Sequence, residues 1–547
     1  MTENCEKKEK RPRSEISGES GIDVNVLCSK GTEREFENKR RKLIIDTKDD
    51  FEKKEDHCSK ANNNKNVAFW LNGTPYMDTK QDMFSLSLDQ IIKLPQQEPV
   101  VIEKCILFNF KVDLQWLVKA CPLLTNAELV KEVHIFHGEA QEEYAGICKY
   151  MKAFRTFAFE KLVNVPYPYG THHTKMMLLV YPEQGIRVVI GTANLIEKDW
   201  LYKTNGCYLQ DFPLKKNKPG ETHDCEFEND LLEYCNAINA TGIDKNFFSF
   251  LTQYDYRTSK VILIPHIPGK HNVHGKSFGY LRMKYHLQKH FAKNKQSDKE
   301  SKDTTFNSSD ASMSPLIVQV SSIGSLSEKW LNEEFIPSVS IRSSHSPTSM
   351  QLLWPTVDQV RNSIEGYEAG NSLCLSRKNC KEFFQKNGYF HEWNASISGR
   401  STLMPHIKSY CQYLLNKDEQ CVEMPWFLLS SANLSGAAWG CFQKSQISCL
   451  FEAMKWVSSF FRVLCKDSAQ ILIFLNIPEV VHQDKKDERS EDVKFFSFYE
   501  TQMDKHPNSI IFPIPMKISH PKKFNKDDQP WIWDIRYNKP DIYGIVR

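Results

Sequence analysis

Two widely separated stretches of this chain repeat one unusual pattern, and the repetition constrains the fold more than any other feature. The first runs Thr171-His172-His173-Thr174-Lys175-Met176-Met177, followed by Arg187-Val-Val-Ile-Gly-Thr-Ala-Asn194-Leu195 and then Trp200. The second runs Met404-Pro405-His406-Ile407-Lys408-Ser409-Tyr410, followed by Trp426-Phe-Leu-Leu-Ser-Ser-Ala-Asn433-Leu434 and then Trp439. Lys and Asn are 19 residues apart in one copy and 25 in the other, and in both the Trp follows the Asn by 6. A repeated order of this kind implies two units built on one plan. On an extended strand, residues i and i+2 share a face, so His173 with Lys175, and His406 with Lys408, are expected to project into a common cleft. His172 then faces the other way and reads as structural.

The surrounding pattern agrees with two layered units. Apolar runs at Val133–Phe136, Met176–Tyr181, Val188–Ile190 and Val261–Ile264 read as buried strands, with helix over Asp230–Cys235 and Ile243–Thr252. Further on, Leu316–Val320, Gln351–Trp354 and Trp426–Leu429 read as strands, with helices near Val357–Ser363 and Cys380–Lys386. Such alternation predicts an α/β fold with largely buried sheets. Three regions follow: a polar tail over 1–66, a first unit over 67–262 and a second over 263–547, the last interrupted by a polar surface insertion at 293–314.

At 547 residues, with 40% hydrophobic and 25% charged residues, the chain is long enough for two folded units. A net charge of +3 does not by itself argue for a polyanion partner. Two basic clusters in the tail, Lys7–Arg13 and Lys39–Lys42, suit a nuclear import receptor or phosphate contacts, and equally a merely solvated segment. The polar N-terminus and the lack of a long apolar run predict neither a secretory signal nor a membrane span. The 16 cysteines lack the C-x-x-C spacing of zinc sites, so no metal is expected.

Breaking a phosphodiester requires a nucleophile, a proton donor for the leaving oxygen, and positive charge or hydrogen-bond donors around the non-bridging oxygens. The duplicated motif supplies all three. One histidine attacks phosphorus while the other protonates the leaving group and later activates water. Lys175, Lys408, Asn194 and Asn433 hold the oxygens. The residues alone leave open which histidine takes which role.

The segments Gly170–Ile196, Gly399–Tyr410 and Ser430–Gly440 resemble the tyrosyl-DNA phosphodiesterase family within the phospholipase D superfamily. Ser321-Ser-Ile-Gly-Ser-Leu326, Glu365-Gly-Tyr-Glu-Ala-Gly370 and Pro530-Trp-Ile-Trp533 are similar to further family landmarks. Most phospholipase D relatives place an Asp five residues after the Lys. Here Val180 and Tyr413 stand there, as in the tyrosyl-DNA branch, which argues against a lipid substrate. The resemblance implies two similar α-β-α sandwich lobes with the active site at their interface, His173 as nucleophile and His406 as general acid and then base. It implies no cofactor and no metal. The substrate would be a single- or double-stranded DNA 3′ end carrying a tyrosyl or peptide remnant of topoisomerase I, or another 3′ blocking group, handled by a monomer in the nucleus, with the cytoplasm as the alternative. Ser321, Ser322 and Ser325 would bind DNA phosphates, Tyr169 would stack on a base, and Trp533 would contact the peptide side.

Two departures bear on activity. Asn205, which the resemblance implies as a substrate contact, stands where relatives carry a Gln, and 447–470 does not match the relatives' strand bearing a Ser-Tyr-Glu-like motif, whose carboxylate orients a catalytic histidine. Glu452 is the carboxylate nearby and is not assigned that role. Reduced but nonzero turnover is the expectation. The competing readings are another nuclease or phosphodiesterase of the superfamily, and a catalytically impaired DNA-end binding protein.

Overall fold

The computed structural model describes residues 67–547 except 78–82, 94–98, 139–157, 164–170, 217–224, 240–245, 273–277, 298–313, 342–348, 416–421, 445–460, 466–467, 476–493 and 504–508. The tail, its basic clusters, Tyr169 and Glu452 lie outside the described residues.

Two large sheets carry the core. The first has eight strands, ordered Ser85–Leu86, Trp70–Asn72, Gly206–Phe212, Gly185–Gly191, Met176–Tyr181, Ile102–Asn109, Val130–His137, Ala158–Leu162. The second is ordered along its main path Ile262–His266, Ser468–Leu475, Val422–Ser430, Lys408–Leu415, Leu316–Gln319, Met350–Trp354, Phe390–Glu392. Six consecutive strands match between them in position and direction. In each, the strand after the His-x-Lys motif runs antiparallel to the strand leading into Ala-Asn-Leu and to an inner strand, beyond which two more run parallel. The repeat read in the sequence is therefore a repeat of topology.

Several strands are apolar along most of their length because both faces are covered. Met176–Tyr181 and Ile262–His266 are buried at every position. Helices Glu226–Asn239 and Tyr280–Ser297 flank the sheets, and the first packs on strand Ile262–His266. Aromatic side chains fill the space between the sheets: Phe69 of the first stacks on Phe427 of the second at 5.2 Å. No described helix is long and apolar enough to cross a membrane.

Two details differ from the reading of the sequence. The helix expected from Ile243 is a 3-10 helix over Phe247–Gln253, and the insertion expected at 293 is helical through Ser297, with 298–313 outside the described residues.

Candidate active site

Each histidine of the motif sits in a short extended link between two strands. His173 follows Thr171–His172 and precedes Met176–Tyr181; His406 follows Met404–Pro405 and precedes Lys408–Leu415. The lysine two residues on folds back identically in both. Lys175 Nζ donates to the His173 carbonyl at 3.1 Å, and Lys408 Nζ to the His406 carbonyl at 2.6 Å. Lys175 Nζ also lies 3.3 Å from His173 Nδ1, and the His173 ring packs 5.1 Å from Phe110.

The lobes meet by exchanging strand pairs. Lys203 and Thr204 of the first lobe pair in parallel with Met404 and Pro405 of the second. Ser468 and Ala469 of the second pair in parallel with Thr171 and His172 of the first. One residue beyond the first of these pairs, Asn205 stands beside His406. The end of the divergent 447–470 stretch thus contributes regular strands, Phe461–Cys465 and the start of Ser468–Leu475, while 447–460 lies outside the described residues. Buried Lys203 pairs with buried Glu365 across the lobes, and Arg400 donates to the Asn72 carbonyl at 2.8 Å and to Ser85 Oγ at 2.7 Å.

Asn205 is buried and fully engaged. Its Nδ2 donates to the Asp199 carbonyl at 2.7 Å, its Oδ1 accepts from Thr192 Oγ1 at 2.7 Å, and the same Oδ1 is 3.3 Å from His406 Nδ1. With Oδ1 fixed as an acceptor, the His406 proton resides on Nδ1 and Nε2 is free for chemistry. Asn205, expected to touch substrate, instead orients a histidine: its backbone N–H is pinned to Asn72 Oδ1 at 2.7 Å and its side chain points inward.

The amides of the two Asn residues are held differently. Asn433 Oδ1 accepts from the backbone N–H groups of Ser321 at 3.2 Å and Ser322 at 3.0 Å, which turns its NH2 group away from them. Asn194 spends one Nδ2 hydrogen on Asp199 Oδ2 at 2.8 Å, and its backbone N–H donates to that oxygen at 2.7 Å. Ser321 is buried, its hydroxyl 3.4 Å from Asn433 Oδ1, so it supports Asn433 rather than presenting a donor at the surface. Ser322 Oγ donates to the Cys374 carbonyl at 3.2 Å, whereas Ser325 is exposed and Trp533 is 47% exposed.

Electrostatics tie the halves into one site. Burial pushes the His173 imidazole well below its ordinary pKa, reinforced by Lys175 and by Lys408 of the other lobe. His406 is lowered by burial, then by Lys408, Lys175 and His173. Lys175 is pushed down to about 7 by burial, against the pull of Asp199, and burial holds Lys408 well below the ammonium range. Two lysines and two histidines buried around the single carboxylate of Asp199 mark a site suited to receive a further anion. His172 is buried 6.1 Å from the Phe108 ring, facing the core.

Asp199 was missed by motif reading. It lies in the first turn of the short helix Glu197–Leu201, buried, with Oδ2 at 3.3 Å from His406 Nδ1. Its signal was its place five residues after Asn194, where the second copy has Ala438.

Two sheets of one topology, each lending a His-x-Lys pair and an Asn to a shared cationic centre, define a two-lobed phosphodiesterase of the phospholipase D type. The family model for tyrosyl-DNA phosphodiesterase matches residues 65–524, and the chain belongs to that family. It is 34% identical over 459 residues to tyrosyl-DNA phosphodiesterase 1 of Arabidopsis thaliana, covering 81% of this chain and 71% of the relative. It is 29% identical to the Drosophila melanogaster protein of the same name, covering 67% of this chain and 61% of the relative. The fold matches the crystal structure of the yeast tyrosyl-DNA phosphodiesterase with a TM-score of 0.57 at 17% identity, over 85% of this chain and 99% of that one.

Proposed function

We propose that this phosphodiesterase hydrolyses the bond between a DNA 3′ phosphate and a tyrosine, the remnant of topoisomerase I, through a phosphohistidine. The observation that carries the reading is the convergence of both His-x-Lys pairs on one cationic centre: His406 feels Lys175 and His173 of the opposite lobe, and His173 feels Lys408.

The phosphodiester anion offsets the lysine charges that hold both imidazoles neutral, which lets His406 carry a proton. The ring nitrogen of His173 remote from Lys175 attacks phosphorus. A P–N bond forms, the P–O bond to tyrosine breaks, and His406 Nε2 gives its proton to the departing phenolate oxygen. Water then enters where the tyrosine left. His406 takes its proton, the P–N bond breaks, and DNA leaves with a 3′ phosphate. Lys175, Lys408 and the free amide hydrogens of Asn194 and Asn433 stabilise the oxygens throughout, a scheme that needs no metal. Ser322 and Ser325 are assigned to DNA phosphates, Tyr169 to a base and Trp533 to the peptide side, with single- and double-stranded 3′ ends both accepted. A nuclear address read from the basic tail and action as a monomer complete the proposal.

The test is turnover of a 3′-phosphotyrosyl oligonucleotide. Wild-type protein releases tyrosine, His173→Ala releases none, and His406→Asn accumulates an acid-labile DNA adduct on His173. Cleavage at internal phosphodiesters without tyrosine release would point to a nuclease. Binding of the blocked end with yields unchanged by His173→Ala would point to an end-binding protein.

A further inference from the structure

The two lobes repeat each other at almost every position of the site, yet the histidines are given opposite tasks, so something must break the symmetry. The break lies five residues after each Ala-Asn: Asp199 in the first lobe and Ala438 in the second. The side chain of Asp199 crosses to the histidine of the other lobe, its Oδ2 at 3.3 Å from His406 Nδ1, while Asn205 Oδ1 takes the Nδ1 hydrogen bond at the same 3.3 Å. Asp199 itself cannot swing away. It is buried, its Oδ2 accepts from both the backbone and side-chain nitrogens of Asn194, and its carbonyl holds Asn205.

The charges around this carboxylate explain why one is needed. Lys408, Lys175 and Lys203 all act on Asp199, and Lys203 is neutralised by Glu365. His406 faces Lys408, Lys175, His173 and Lys203. Without Asp199, a protonated His406 in that company would be a further buried cation with nothing to balance it. Burial raises the Asp199 carboxyl, and the Asn194 N–H and the three lysines pull it the other way. A carboxylate within ion-pair distance lowers the cost of the imidazolium in both steps, when His406 must hold a proton before the tyrosine leaves and after water has been activated.

We infer that Asp199 is the positioning and counter-charge residue that makes His406, and not His173, the proton carrier of this site. Ala438 leaves the second lobe with no equivalent carboxylate at the matching position, and His173, flanked by Lys175 and Lys408, is left as a neutral nucleophile. The inference rests on the reaction proposed above.

The experiment compares wild-type protein with Asp199→Asn, which keeps shape and an acceptor for Asn194, and with Asp199→Glu as the conservative rescue. With a 3′-phosphotyrosyl oligonucleotide, Asp199→Asn is expected to lower kcat roughly 10–100-fold with little change in KM. The alkaline limb of kcat/KM should move about one unit or more to lower pH, because loss of the negative charge lowers the His406 pKa. The covalent DNA adduct should persist longer than in wild type, and Asp199→Glu should recover part of the limb. An unshifted alkaline limb in Asp199→Asn, whatever its rate, would overturn the inference. If wild-type protein releases no tyrosine, the reaction itself is wrong. The inference is then read from imidazole NMR titration of His406: a lower midpoint in Asp199→Asn upholds the counter-charge, and equal midpoints overturn it.

Discussion

Lys175 and Lys408 show most directly what the site costs. Lys175 is pushed down to about 7 in the folded chain, against a usual lysine value above 10, because its ammonium is buried, and the pull of Asp199 does not offset that. The native state therefore binds fewer protons than the unfolded state between those values. Stability should rise as pH increases from about 7 toward 10, and chemical denaturation across that range should show the slope. Lys175→Met should flatten that slope, raise stability at neutral pH by about 0.5–2 kcal/mol, and lower turnover at least a hundredfold. Asn205 illustrates what motif reading could and could not deliver at this scale. His173, Lys175, His406 and Lys408 announced themselves because the same trio of positions occurs twice. Asn205 and Asp199 act on a histidine some two hundred residues away, and no local spacing encodes that contact.

The strands are where sequence and structure agree best, since continuous apolar runs such as Met176–Tyr181 have few alternatives once both faces are buried. Phe247–Gln253 was harder: the aromatic cluster Phe247, Phe248 and Phe250 packs on Phe136 and His134, and that tertiary packing selects a tight 3-10 turn where periodicity suggested an α-helix. The exchanged strand pairs escaped the sequence altogether, because two-residue ladders carry no periodicity. The register that sets Asn205 beside His406 predicts a phenotype: Asn205→Ala should slow the steps that use His406 by about 10–100-fold in single-turnover assays. At the same junction, Lys203→Ala strands the buried Glu365 carboxylate and should cost about 3–5 kcal/mol in a denaturant melt. Replacing both partners with apolar residues of similar volume should recover much of that loss.

For the molecule as a whole, the cationic centre is built from residues of both lobes, so a phosphate mimic that it holds should bind the folded form alone. Orthovanadate at a hundred times its Kd is expected to stabilise the protein by about 2.7 kcal/mol, seen as a rise in Tm that His173→Ala/His406→Ala weakens. The two-lobed plan was readable from the duplicated motif, whereas the way the lobes dock was not, because Phe69 against Phe427 and Arg400 against Asn72 are pairings between distant segments with no shared pattern.

The exchanged strands also bear on the life of the chain before it is finished. A ribosome releases His173 and Lys175 long before Thr204 has Met404 and Pro405 to pair with, and before Ala469 exists to pair with His172. On the reaction proposed above, a half-made molecule therefore has a nucleophile without its proton donor, and reactivity toward phosphodiesters should appear only when the last large strands dock.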